Sequence, residues 1–305
     1  VIAVAEQVLN GIQFGITLFL MAAGLTLIFG VMNLVNLAHG SLYMVGAYIA
    51  AATFNATHSF LLGIGAALAG TAAVGIAIEV VVFRRLYHRD HLDQVLATFG
   101  LILFFNELVR MIWGATALYA QVPGFLAGQV EILPGAPYPT YRLAIIVAGL
   151  VVGVLIYLLV MKTRIGMLIR AGASDRTMVG ALGVNITLLY TLVFGVGAAL
   201  AALSGALAGP VFTVESGMGD DLLILAFVVI VIGGIGSIRG AFIASVLVGV
   251  VDTIGRAFLR QLFALFMSGF AADSAGPATA SMLIYVLMAA VLFFRPQGLF
   301  PRESR

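Results

Sequence analysis

Three observations predict an all-α integral membrane protein, a polytopic bundle of about eight or nine transmembrane segments, some of them broken or short. The first is composition. The 305-residue chain is 62% hydrophobic and 9% charged, with a mean hydropathy of +1.16; soluble domains run near about 45–50% apolar and about 25% charged. The second is a succession of apolar blocks long enough to cross about 30 Å of hydrocarbon. The third is the placing of the 15 basic residues, which gather in a few short intervals between those blocks. The net charge of +2 does not suggest a nucleic-acid partner, and the absence of cysteine excludes a disulfide framework, a thiolate metal site and a Cys nucleophile. The first apolar block lacks a basic n-region and reads as a mature span rather than a signal.

In order, residues 9–31 form the first predicted span. Residues 32–51, MNLVNLAHGSLYMVGAYIAA, are interrupted by Asn33, Asn36, His39, Gly40 and Ser41. Polar groups at membrane depth must face protein or a water-filled cavity. Residues 42–54 therefore read as a short or broken helix whose start opens into the protein, and 54–60 as a turn. Residues 61–83 are a long span ending in RRLYHRDH. In the next span, 95–113, Glu107 and Arg110 stand three apart and pair on one face. Residues 114–141 hold no Lys or Arg and four of the eight prolines, Pro123, Pro134, Pro137 and Pro139. They read as an external loop with extended pieces. Residues 143–161 and 188–212 are spans, and 213–221, with Glu215, Asp220 and Asp221, an acidic connection.

Residues 222–232 are apolar but too short to cross a bilayer as a helix. The glycine-rich GGIGSIRG follows, then a span at 241–259. Residues 260–280 read as a polar-tipped loop or interfacial segment, 281–294 as the last crossing, and RPQGLFPRESR as the tail. Lipid offers no hydrophobic drive for helices to meet, so the small-xxx-small pairs Gly11/Gly15, Gly149/Gly153 and Gly205/Gly209 predict close packing.

The longest polar-bearing interval between two strongly apolar blocks is KTRIGMLIRAGASDRTMVGALGVN, residues 162–185. Residues 171–182 contain no proline, Gly183 offers a stop, and Asn185 or Thr187 a cap for the next helix. Met178, Val179 and Leu182 fall on one side. A short helix with a small apolar face and basic flanks suits docking into a groove on a soluble partner; a basic anchoring loop is the simpler alternative. Eleven of the 15 basic residues lie in 84–89, 162–176, at Arg239 and in the tail. Alternation of the spans puts these regions on one side, the cytoplasm, with the C-terminus; residues 114–141 and 213–221 are then external. HGSLYMVGAYIA and RGAFIASVLVGV also echo one another faintly, each opening a helix after a disrupted apolar segment, as at substrate paths in transporters.

No phosphate-binding loop occurs, so ATP chemistry cannot be placed in this chain. His88 and His91 adjoin arginines and read as solvated side chains rather than metal ligands. Asp252 and Arg256, four apart, read as a structural ion pair.

Four blocks together resemble the permeases of the high-affinity branched-chain amino acid importers of bacteria, which are ATP-driven (ABC-type), and among these the H-type subunit. They are GLTLIFGVMNLVNLAHGSLYMVGAYIA, GMLIRAGASDRTMVGALGVN, VIGGIGSIRGAFIASVLVG and RPQGLF. They span nearly the whole chain in the family's order. Arg239 stands where the family often has Pro. The resemblance implies one transmembrane permease domain over 1–305 in the bacterial inner membrane, with 163–186 as a coupling segment and 114–141 external. It implies three kinds of protein partner: a second related permease, two ATPase subunits carrying ATP-Mg, and a periplasmic binding protein that delivers branched-chain or related amino acids or small amides. No cofactor is expected in this chain. Arg170, Ala171, Asp175, Arg176, Met178, Val179, Leu182 and Gly183 are expected to meet an ATPase. Asn33, Asn36, His39, Ser41 and Tyr43, with Gly233, Gly234, Gly236 and Ser237, are expected near the translocation path or the second permease. An ion-coupled secondary transporter would need a midplane carboxylate, for which only Asp252 and Glu79 come near. A passive channel would need a repeated selectivity lining, of which the His39 region supplies half.

Overall fold

A computed structural model describes residues 2–87, 89–133 and 135–300. Among the described residues, seven helices are long and apolar enough to cross a membrane: α1 (Ile2–Met32), a segment Phe60–Leu86 made of α3 (Phe60–Ile78), a π-helical turn (Glu79–Phe83) and α4 (Arg84–Leu86), then α5 (His91–Trp113), α6 (Thr140–Lys162), α9 (Ile186–Ala208), α11 (Ile238–Phe263) and α12 (Gly269–Phe294). Two further helices pack among them, α2 (His39–Thr57) and α10 (Met218–Gly233). α1 is the centre: 83% of its most apolar stretch is buried, against 11% for α12. Its glycines explain how it can be surrounded. A Cβ on Gly15 would come within 2.7 Å of the Ser245 carbonyl oxygen on α11, and one on Gly249 within 2.5 Å of Gly11 O, so the two backbones touch. The other predicted small pairs are also at contacts, Gly149 on Ile16 and Gly205 on the Tyr43 carbonyl.

Between residues 114 and 139 the chain forms a short 3₁₀ turn (Gly124–Leu126) and an antiparallel hairpin, β1 (Gln129–Leu133) with β2 (Ala136–Pro139), Val130 opposite Tyr138. Leu118 exchanges backbone hydrogen bonds with Val214 (2.8 and 3.3 Å), tying this loop to the link before α10. These segments mark the hairpin end of the bundle; α4, α7 (Arg164–Ser174), α8 (Arg176–Ala181) and the 295–300 tail mark the opposite, basic end.

α1 stops at the basic end, where Asn33 takes φ +52°. The chain then turns back into the bundle. His39 Nε2 lies 3.2 Å from the Met21 carbonyl, and Met21 stands eleven residues before the end of α1, about 16 Å at 1.5 Å per residue. α2 thus starts in mid-bundle and runs to the hairpin end, where Tyr48 stacks at 5.2 Å on Trp113. α10 starts beside it and runs the other way: a Cβ on Gly219 would fall 2.0 Å from the Gly40 carbonyl oxygen. At its far end the tail folds under it, Leu299 N donating to Ile232 O (2.8 Å) and Phe300 N to Gly233 O (3.1 Å), which satisfies two terminal carbonyls. Two half-helices therefore meet N-terminus to N-terminus inside the bundle.

Several boundaries differ from expectation. The final helix begins at Gly269, so residues 260–280 are not a loop; only 264–268 turn. Polar residues that suggested a loop pair instead across α11 and α12, Arg260 with Asp273 (2.5 Å), and beyond that interval Arg256 donates to Ser281 (3.3 Å). Asp220 and Asp221 belong to the first turn of α10 rather than to a connection, where the positive end of the helix favours carboxylates. α10 has 16 residues, more than the apolar run but, at about 24 Å, still short of a bilayer. α2 begins at His39 rather than residue 42 and persists to Thr57.

The interval 171–182 is not one helix. α7 ends at Ser174, and Asp175, extended at φ −148°, accepts from the backbone N–H of Thr177 (2.9 Å) and Met178 (3.0 Å) to start α8. An Asp carboxylate that satisfies two orphan N–H groups competes with continuation of the preceding helix. Gly183 does terminate α8, at φ +86°, and Asn185 caps α9 through Leu188 N (3.0 Å). His88, Pro134, Arg302 and Arg305 lie outside the described residues.

Candidate functional site

The expected path residues separate into three places. Asn36, His39, Ser41 and Tyr43 lie at the mid-bundle break, fully or almost fully buried. His39 Nε2 donates to the Met21 carbonyl, which leaves Nδ1 as the ring acceptor. Within the chain, among the described residues, His39 Nδ1, both amide atoms of Asn36 and the hydroxyls of Ser41 and Tyr43 have no hydrogen-bond partner. A cluster of unpaired polar atoms at this depth is unfavourable by about 1–3 kcal/mol per group, and such groups mark functional interiors in membrane proteins.

Asn33 lies apart from them, at the basic end, in a cavity of about 400 Å³ shared with Gly30, Gly172, Ser174, Arg176 and Ile235. The glycine block is there too, in structural roles. Gly233 meets Gly240 and Gly234, at φ +101°, meets the Phe300 carbonyl. Gly236, at φ +80°, lies against Gly30, and Ser237 Oγ caps α11 by accepting from Gly240 N (3.1 Å).

Of the expected path residues, Tyr43 lines a cavity of about 840 Å³ that opens at the hairpin end. Its other walls come from the first half of α1 (Gln7, Asn10, Gln13, Phe14), Arg142 of α6, residues 211–215, the first turns of α10 and the second half of α11 with Asp252 and Arg256. Sequence reading missed Arg142 and the α1 residues. The signal was present: Gln7, Asn10 and Gln13 recur every three residues inside an apolar helix, one polar stripe. Asp252 and Arg256 form the predicted pair, Arg256 Nε donating to both carboxylate oxygens at 2.8 and 2.9 Å. Glu79, fully buried near the basic end, is engaged by Arg84 (3.1 Å), Tyr87 (2.7 Å) and Thr191 (2.8 Å).

At the basic end α7 and α8 form a platform. Val179 is turned inward and buried, while Met178 and Leu182 are 60% and 76% exposed. Arg170 is folded back, Nη1 donating to the Val160 carbonyl at the end of α6. Asp175 is engaged as a cap, Arg176 is exposed, Ala171 is half-buried and Gly183 supplies the turn. The predicted apolar stripe is therefore two exposed side chains and one inward anchor.

Among the described residues, seven helices able to cross a membrane and two shorter ones starting in mid-bundle beside unpaired polar groups, with a cavity at each end, make up a multi-pass membrane bundle of the kind a transporter component has. The chain belongs to the family described as branched-chain amino acid transport system / permease component, which it matches over residues 7–292. It is 30% identical to the high-affinity branched-chain amino acid transport system permease protein BraD of Pseudomonas aeruginosa, over 98% of this chain and 96% of that one. It is equally similar, 30% with the same coverage, to the permease LivH of Salmonella typhimurium. A probable LivH of the archaeon Methanocaldococcus jannaschii is 25% identical over 96% of this chain. No solved structure matches the chain.

Proposed function

We propose that the whole chain serves as one transmembrane permease domain of an ATP-driven importer of the bacterial inner membrane, passing branched-chain amino acids received from a periplasmic binding protein. The observation that carries this reading is family membership across residues 7–292, with relatives named as branched-chain amino acid permeases. The basic end is cytoplasmic on the distribution of Arg and Lys, and the hairpin end external. A second, related permease completes the path, and two ATPase subunits supply the ATP-Mg chemistry. The α7–α8 platform is the coupling element. Met178 and Leu182 are the apolar contacts and Arg176 a rim contact that sets orientation, since exposed ion pairs contribute only about 0–1 kcal/mol. The carboxylates that an ion-coupled mechanism would use are already engaged, Glu79 by Arg84 and Asp252 by Arg256.

The test is Met178→Ala/Leu182→Ala in the assembled importer. Truncating interface anchors costs about 2 kcal/mol or more, so the variant inserts in the membrane normally but loses ATPase association or uncouples hydrolysis from uptake. Unchanged association and coupled uptake would remove the platform from the coupling role.

A further inference from the structure

We propose that the hairpin-end cavity is itself a transit site for a free amino acid held as a zwitterion, with Arg142 seating the carboxylate and Glu215 and Asp221 the ammonium group. The inference rests on the importer reading and adds to it a site and a recognition chemistry within this chain.

Four observations point to it. The cavity, about 840 Å³, is of the size that small-molecule sites have, about 300–1,000 Å³. Its walls carry charge of both signs. Asp252 and Arg256 are engaged with one another, but Arg142, Glu215 and Asp221 take part in none of the ion pairs among the described residues. Arg142 is half-buried and oriented by Asn10, whose side-chain oxygen accepts from Nη1. Asn10 and the neighbouring Tyr138 hydroxyl face part of the guanidinium, whose five donors leave others for a carboxylate. Finally, the lining also has an apolar part, with Phe14, Leu222 and Leu225, and the fully buried Tyr43, also in the lining, has a hydroxyl with no hydrogen-bond partner among the described residues. A guanidinium and two carboxylates outside those ion pairs, with an apolar wall, complement an α-carboxylate, an α-ammonium and an aliphatic side chain. A neutral amide or urea matches neither charge. The cavity is open to solvent, so each charge pair is weakened by water. The affinity is therefore weak, as a site that must release its occupant inward requires.

The experiment uses the assembled permease–ATPase complex in lipid nanodiscs, without binding protein or nucleotide. Saturation-transfer NMR measures binding of L-leucine, of leucinamide, which lacks the carboxylate, and of 4-methylpentanoate, which lacks the amine. The expected result is saturable binding of leucine, with each analogue measurably weaker, by up to about fivefold, the upper end for one exposed ion pair. Arg142→Gln should abolish the preference for leucine over leucinamide and leave that over 4-methylpentanoate; Glu215→Gln/Asp221→Asn should do the reverse. Arg142→Lys should keep part of the carboxylate preference, which separates lost charge from lost fold. Equal binding of all three probes to the wild-type complex, no binding, or preferences untouched by these variants overturns the inference. ATP-driven leucine uptake by the complete wild-type importer is scored separately: its absence sinks the importer reading, whereas uptake without the charge preferences sinks only the transit site.

Discussion

The meeting of α2 and α10 in mid-bundle can be tested at one atom. Gly219→Ala adds a Cβ that would lie 2.0 Å from the Gly40 carbonyl oxygen and 2.5 Å from its carbon. Ordinary contact begins near 3.4 Å, so the helix starts must part by more than an ångström. Both obstructing atoms are backbone, and no rotamer change relieves them. Overpacking a close-packed interior costs about 1–3 kcal/mol, and a backbone clash belongs at the upper end. Alanine recovers about 1 kcal/mol of helix propensity over glycine, so the net destabilisation is about 2 kcal/mol. Gly100→Ala, on α5 with nothing within 4 Å of its Cβ position, is the control and should be neutral or stabilising by up to about 1 kcal/mol. Thermal unfolding of the purified complex, followed by intrinsic fluorescence, should show a lower midpoint for Gly219→Ala and an unchanged or higher one for Gly100→Ala. Leucine uptake should fall with the first and not the second. If the two variants unfold at the same temperature, α2 and α10 do not start in contact and the half-helix arrangement is wrong.

Two other predictions concern the ends of the bundle. In this cysteine-free chain, Arg176→Cys should react with an impermeant thiol reagent only from the cytoplasmic side and Phe125→Cys only from outside; the opposite pattern inverts the orientation. Asp175→Ala removes the acceptor for two backbone N–H groups and should destabilise α8 by about 0.5–2 kcal/mol, read as faster amide exchange over residues 176–181. Asp175→Asn keeps the cap and should exchange nearly as slowly as wild type.

Sequence alone determined the properties that depend on one segment at a time. Spans followed from the length and polarity of each apolar block, because an apolar run this long crosses hydrocarbon with its backbone bonded within one helix. The stops at Asn33, Gly183 and Gly234 lay where polar or glycine residues interrupt those blocks. Close approach of α1 and α11 was legible as Gly11 and Gly15, since only small residues let backbones touch. The broken character of 32–51 was legible too, because Asn36 and His39 cannot face lipid.

The rest was decided by which segments lie side by side. Arg260 and Asp273 read as a loop tip until α12 was laid against α11, where each neutralises the other. Asp175 read as a helical residue because its competing bonds to Thr177 and Met178 exist only once the chain bends there. Arg142 stands far in the sequence from Glu215 and Asp221 and shared no signal with them; the packing of α1, α6, α10 and α11 brings all three into the lining of one cavity. Hydropathy is a property of single residues and adds along a segment, whereas a cavity or an ion pair between helices belongs to pairs of segments, and no one-dimensional pattern carries it.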